Sequence, residues 1–198
     1  AEHFRPAIDK PQYQTHIARI QDYILAGDCY QVNYAQRFEA TLQGDSWSAY
    51  RYVRTLLAGG FSGFLRTAED HAILSLSPER FLRIHHGTVT SQPIKGTAPR
   101  HTDPEQDAAL AKALLNSEKD RAENVMITDL LRNDLGQFCE TGSVKVTELC
   151  GLHSFNNVHH LISTIEGKLA PGVSAGQMLL ATSPGGSITG APKKRAVE

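Results

Sequence analysis

The order of predicted elements along the chain points to an α+β protein whose β-sheets are mostly antiparallel. Short β-like runs arrive in groups, helices interrupt them, and no regular strand-helix-strand alternation of the kind that builds a parallel sheet is present. Internal repeats and low-complexity linkers are also absent from the sequence.

Tyr13, Ile17, Ile20, Ile24 and Leu25 fall at helical spacing between Pro11 and Asp28, with Pro11 suited to a first turn and Gly27 to a stop. Tyr30 to Leu42 alternates β-formers and reads as one long, half-buried strand. A short helix around Trp47 to Leu57 is expected to end at Gly59-Gly60. Phe61 to Arg66, His71 to Leu76, Arg80 to Ile84 and Thr88 to Pro93 read as an antiparallel meander, followed by a polar stretch from Thr97 to Asp107. Helices are predicted over Pro104 to Asn116 and Ser117 to Phe138, and strands over Val144 to Leu149 and Val158 to Ile165. A helix from about Ser174 leads to the turn Ser183-Pro-Gly-Gly186, and a last helix is expected from Gly190-Ala-Pro192. Ala1 is not an initiator methionine and Lys193 to Glu198 reads as a helix start, so residues 1–198 are expected to be a central piece of a longer catalytic domain.

Twenty basic and 21 acidic residues in 198 nearly cancel, which leaves no electrostatic footprint for nucleic acid or an anionic membrane. Cys29, Cys139 and Cys150 are widely and irregularly spaced, with no CxxC pair, and read as reduced thiols. With no apolar run near the roughly 20 residues that cross a bilayer and no basic-then-apolar start, a cytoplasmic location is expected.

Several short segments hold more glycine, proline and ionisable residues than turns need. Lys95 stands between a β-like run and Gly96, so a strand end could hold its amine while the backbone turns behind it. Such a lysine can be a nucleophile once it loses its proton, though an ordinary surface lysine fits the pattern too. Asp120 and Glu123, three apart on a predicted helix, put two hard oxygen donors on one face. They suit Mg²⁺, or an acidic first turn paired with Lys119 or Arg121 in solvent, which is the commoner pattern. Pro184-Gly-Gly-Ser-Ile-Thr-Gly-Ala-Pro192 offers either an anion site at a helix start or a plain glycine-rich turn. His159 and His160 are adjacent in a strand-like run and so face opposite ways; Glu79 follows Pro78 at a strand start and reads as an acid in a site or in a surface ion pair.

Taken in order, Gly27-Asp-Cys-Tyr-Gln-Val-Asn33, Leu74-Ser-Leu-Ser-Pro-Glu-Arg-Phe81, Pro93-Ile-Lys-Gly-Thr97, Lys119-Asp-Arg-Ala-Glu-Asn124, Asp129-Leu-Leu-Arg-Asn-Asp134 and Gly190-Ala-Pro-Lys193 resemble the chorismate-utilising enzymes from about Pro11 to Glu198. That resemblance implies a sandwich of large, mostly antiparallel sheets flanked by helices, here a truncated part. Where the isochorismate and salicylate synthases carry a water-activating lysine, this chain has Gln31; where anthranilate synthases have a small residue, it has Lys95. This pattern resembles the aminodeoxychorismate synthase branch, which implies amination of chorismate in the route to p-aminobenzoate and folate. The resemblance further implies Lys95, His160 and Glu79 as catalytic, Ser187, Gly186 and Gln31 as substrate-binding, and Glu123 with Asp120 nearby for Mg²⁺. It implies a separate glutaminase (amidotransferase) subunit as ammonia source. The alternatives are an anthranilate synthase component, or a piece that binds without turning over. The Leu57-Ala-Gly-Gly-Phe-Ser-Gly-Phe64 segment departs from the family's Asn-Pro-rich turn, and Ser187 replaces a threonine found in some relatives.

Overall fold

The structure, a computed structural model, describes residues 4–57 and 60–198. The expected helix stop at Gly59 therefore lies outside the described residues. Contacts along the chain cluster into two compact units, Ala1–Tyr23 with Tyr34–Arg80, and Ile24–Asn33 with Phe81–Glu198.

In order, the elements are β1 (Arg5–Pro6), α1 (Lys10–Leu25), β2 (Gln31–Val32), β3 (Phe38–Glu39), α2 (Ser46–Leu56), β4 (Phe61–Ala68), β5 (His71–Ser77), β6 (Arg80–His85), β7 (Thr88–Gln92), β8 (Ile94–Pro99), α3 (Pro104–Leu115), α4 (Glu118–Gly136), β9 (Lys145–Ser154), β10 (Val158–Lys168), α5 (Ala175–Thr182), α6 (Gly186–Thr189), β11 (Gly190–Ala191) and α7 (Lys193–Val197). All the pairings between these strands are antiparallel, as the sequence predicts for an α+β chain.

The first unit holds the β4–β5 hairpin and the short pair β1–β3. Helix α2 starts at Asp45, whose carboxylate accepts from the Ser48 N–H, and it lays Tyr50 and Trp47 against Phe64 of β4. Capping of this kind satisfies an otherwise orphaned donor and stabilises a helix by about 1 kcal/mol.

The second unit is organised around β10. Residues Leu161 to Ile165 are all buried, as befits a strand with neighbours on both edges and a helix on one face. Thr88 pairs with Lys168 and Pro99 with Val158, so β7, Pro93 and β8 form one line along one edge of β10, while β9 takes the other. Helix α4 covers this sheet. Its buried positions Asn124, Ile127, Thr128, Leu131, Asp134 and Leu135 repeat at three and four residues, the spacing of one helical face. Ile127, Leu131 and Leu135 meet Val89, Ile165, Cys139 and Met178 in the core, each fully buried aliphatic side chain contributing about 1.5–3 kcal/mol.

Four expectations are corrected. The long strand over Tyr30 to Leu42 is two two-residue strands joined by coil, because only β11 and β1 lie alongside to pair, and Tyr30 and Phe38 stay exposed at 72% and 55%. The meander is two pieces: β4 pairs β5, whereas β6 and β7 belong to the five-stranded sheet. Lys95 sits inside β8 rather than at a strand end, since the supposed polar stretch is paired with β10 as far as Pro99. The last helix begins at Lys193, after Gly190 and Ala191 have paired with Val32 and Gln31.

Candidate active site

Lys95 and Gly96 together face Leu161 alone, because Thr97 pairs with His160 and Ile94 with Ile162. This is a β-bulge, one extra residue that bends a strand and re-aims a side chain. Gly96 makes it possible. Its φ is +90°, and a Cβ there would lie 2.9 Å from Cβ of Asp120 and 3.2 Å from Leu114. The bulge thus presses the backbone beside Lys95 against the start of α4, where the acidic residues stand.

The Lys95 side chain is partly buried, and its Nζ donates to the carbonyl oxygen of Ser187 at 3.2 Å. The Asn33 side-chain amide donates to the same oxygen, and the Asn33 backbone N–H donates to Thr189 O at 2.7 Å. Pairing of β2 with β11 is what carries the Gly27–Asn33 segment to the glycine-rich segment, so residues some 150 positions apart share one carbonyl. Gly190 is required there, since a Cβ would approach Gln31 O to 2.2 Å.

The structure brings Lys95, Ser187 and Asp120's helix start together. Gln31 lies in β2 beside Ala191. Among the described residues, Gln31 Oε1 and Ser187 Oγ are buried side-chain atoms with no hydrogen-bond partner. A buried acceptor and a buried hydroxyl left unpaired are costly, and a polar ligand offering a donor and an acceptor would satisfy them. Gly186 is buried, and a Cβ on it would meet Leu130 Cδ2 at 2.4 Å, so its lack of a side chain serves the approach of the loop to α4. Within this segment α6 has four residues, and Gly185 packs against Phe81.

His160 is half-buried, with Thr97 Oγ1 2.9 Å from its Nδ1 and the Phe155 ring 5.6 Å away. Burial holds its pKa below the ordinary value, opposed by a hydrogen bond with the Gly96 backbone. Burial thus favours the neutral imidazole. His159 points the other way. It is 2% exposed, bonded through Nδ1 to Ser154 Oγ at 2.7 Å and through Nε2 to Asp107 at 3.1 Å, a structural tie between α3 and the β9–β10 hairpin. Glu79 lies in the first unit, half-buried in the turn before β6, its backbone N–H donating to Ser77 Oγ at 3.2 Å.

Asp120 accepts from the Ser117 hydroxyl while Ser117 caps α4, and Glu123 lies 3.9 Å from the exposed Lys119 amine. Among the described residues no group of three or more His, Cys, Asp or Glu side chains is arranged to hold a metal. The donor chemistry of Glu123 fits Mg²⁺, since it is a hard carboxylate one-third exposed and only loosely paired, and this ion keeps several waters. Asp120 is committed to its helix cap.

Sequence reasoning did not single out Asn33 or Asn124 as individual site residues, although both close quoted segments. Asn124 is 0% exposed; its Nδ2 donates to Leu161 O at 3.0 Å and to Lys95 O at 3.5 Å, and its Oδ1 accepts from Ser163 and Thr128. An asparagine on the apolar stripe of α4 was the available signal.

A lysine on a bulge, a glycine-rich segment and an acidic helix start are thus brought together on an antiparallel sheet. The profile of the family described as chorismate binding enzyme matches residues 1–198, and the chain belongs to that family. It is 51% identical over 195 residues to aminodeoxychorismate synthase component 1 of Klebsiella aerogenes, a match covering 98% of this chain and 43% of that protein. Anthranilate synthase component 1 of Pseudomonas aeruginosa is 40% identical over 195 residues, 98% of this chain and 39% of the relative. Among solved structures, anthranilate synthase component I from Streptococcus pneumoniae superposes with a TM-score of 0.87 at 36% identity, covering 98% of this chain and 42% of that one. The chain thus spans about two fifths of the length of the relatives it matches. None of the described helices is long and apolar enough to cross a membrane.

Proposed function

We propose that these residues carry the nucleophile of an aminodeoxychorismate synthase, which converts chorismate and ammonia to 4-amino-4-deoxychorismate. The observation that carries this reading is the position of the Lys95 amine, held part-buried at the Ser187 carbonyl by a bulge that Gly96 makes possible. Higher identity to proteins named aminodeoxychorismate synthase than to those named anthranilate synthase supports it, 51% against 40%.

In this reaction the neutral amine of Lys95 attacks C2 of chorismate; the ring double bonds shift and the C4 hydroxyl departs with a proton as water. Ammonia then adds at C4, the double bonds shift back, and the lysine leaves as a free amine. Splitting one displacement into two lowers each barrier. His160, hydrogen-bonded to Thr97, accepts or returns a proton near the departing hydroxyl. Gln31, Ser187 and the backbone of Gly186 hold the substrate, the first two through the side-chain atoms that lack partners. Glu123 would hold Mg²⁺, with Asp120 beside it, and the ion when bound would neutralise a substrate carboxylate. Ammonia is assigned to a separate glutaminase subunit and the product to folate synthesis in the cytoplasm.

The test is intact mass spectrometry of the full-length protein carrying these residues, incubated with chorismate and Mg²⁺ without ammonia. A mass increment on the peptide containing Lys95 is expected, and its absence under conditions that support turnover with ammonia overturns the covalent route. A second reading, anthranilate formation, is favoured by the 0.87 TM-score to an anthranilate synthase. Product analysis separates the two, because anthranilate has lost pyruvate and aminodeoxychorismate has kept it.

A further inference from the structure

We infer that Asn124 is the positioning residue for Lys95, fixing the bulge from which the amine is presented; this rests on Lys95 being the nucleophile. A bulge removes regular ladder bonds and leaves backbone carbonyls to be satisfied by other groups. Both carbonyls at this one, those of Leu161 and Lys95, receive the Asn124 side-chain amide, at 3.0 and 3.5 Å. The opposite end of that amide is held in turn. Its Oδ1 accepts from Ser163 Oγ and from Thr128 Oγ1, the latter at 3.3 Å.

Ser163 Oγ itself accepts from the Cys150 N–H at 2.9 Å. Cys150 belongs to a second irregularity, since Gly151 pairs with Ile162 and Glu148 with Thr164, leaving Leu149 and Cys150 opposite Ser163. Its φ of +52° is uncommon for a residue with a side chain. One fully buried amide therefore ties together the bulges on both edges of β10. Every polar atom in the chain from Lys95 O to Cys150 N has a partner, so the amide has one orientation, and a β-bulge anchored in one orientation has one register. A bulge free to slip by one residue would carry the Lys95 side chain to the other face of the sheet.

The experiment compares Asn124→Asp, Ser163→Ala and a control, Leu135→Ala, in the full-length protein. Leu135 is 0% exposed on the same helix but belongs to the apolar core away from this network, so its loss lowers stability without touching the bulge. Asn124→Asp replaces the donor to two carbonyls with an acceptor. Two readouts are taken at fixed pH and at temperatures giving equal folded fractions. One is the rate at which an amine-reactive ester labels Lys95 relative to the exposed Lys112, by peptide mass spectrometry; the other is kcat and KM for chorismate.

Asn124→Asp is expected to raise relative labelling of Lys95 several-fold and to lower kcat roughly a hundredfold, the scale of an ångström of misplacement, with little change in KM. Ser163→Ala keeps the donors but loosens them, and gives a smaller change of the same sign in both readouts. If Asn124→Asp does not fold, Ser163→Ala alone decides by its Lys95 labelling. Variants indistinguishable from Leu135→Ala at equal folded fraction overturn the proposal. Full turnover by Lys95→Ala sinks the nucleophile instead, and the labelling then judges whether Asn124 holds the bulge.

Discussion

The Nζ of Lys95 and the carbonyl oxygen of Ser187 lie 3.2 Å apart although 92 positions separate them in the chain. A lysine side chain has much rotamer freedom, and holding it costs on the order of 1.5–2 kcal/mol of conformational entropy. On the proposed route that restraint would pre-order the amine before substrate arrives. Removing the amine by Lys95→Ala should depress aminodeoxychorismate formation by on the order of a thousandfold or more, the scale at which loss of a nucleophile is felt. The fold should survive, and steady-state product analysis by liquid chromatography with a thermal melt checks both halves.

Gly96→Ala is expected to damage the same site without touching the amine. The substitution meets a φ of +90° and a contact of 2.9 Å to Asp120 Cβ, which belongs to a short side chain at a helix start and has little room to retreat. A strained backbone of this kind costs about 1–3 kcal/mol. Denaturant unfolding should register that loss, and Lys95 adduct formation with chorismate should slow in parallel. Retained stability and an unchanged adduct rate would show that the bulge tolerates a side chain.

Lys193 donates to Asp134 Oδ2 at 2.9 Å and to Thr182 O at 2.7 Å, with the two ionic side chains 20% and 11% exposed. The pair joins α7 to α4 and to the end of α5. Breaking a buried pair strands the remaining charge at a cost near 3 kcal/mol, whereas removing both charges can be nearly neutral. Lys193→Met should therefore be markedly destabilising, and adding Asp134→Asn should recover much of the loss. Equilibrium unfolding of the two single variants and the double variant measures the coupling directly.

The helices and the separate runs of β6, β7, β9 and β10 were legible because their signals are local, whereas the five-stranded sheet they join was not. Asp103 before Pro104, Ser117 before Glu118 and Ser174 before a glutamine at the third position each mark a helix start, and each caps one. Tyr30 to Leu42 misled because alternation is necessary for a strand but pairing is what makes one, and a sequence does not state which edge is free. Strand β8 was hidden for the opposite reason: Pro93 and Gly96 read as punctuation, yet they mark the ends of a bulged segment whose pairing to β10 continues on either side. Lys95, Gln31 and Ser187 were named from their blocks, whereas Asn33 and Asn124 were not singled out. Their juxtaposition, Asn33 and Lys95 on one carbonyl and Asn124 across two bulges, depends on tertiary pairing that no spacing encodes.

The pH dependence of stability should show two separate windows. Burial lowers the pKa of His160 below its ordinary 6.5, so between those values the unfolded chain binds a proton that the folded chain does not. Stability from this group is complete above 6.5 and is lost as pH falls toward the folded value. Asp107 behaves with the same sign at lower pH. The Arg100 side chain, the His101 N–H and His159 all donate to its carboxylate, holding its pKa below the usual 3.8, so its contribution is lost only once pH drops below that region. Thermal midpoints measured from pH 8 downward should decline first near 6.5 and again below 4. His160→Asn should remove the first decline and keep the second, while Asp107→Asn should lower stability at pH 7 and flatten the second. A first decline that persists undiminished in His160→Asn would assign that window to another group.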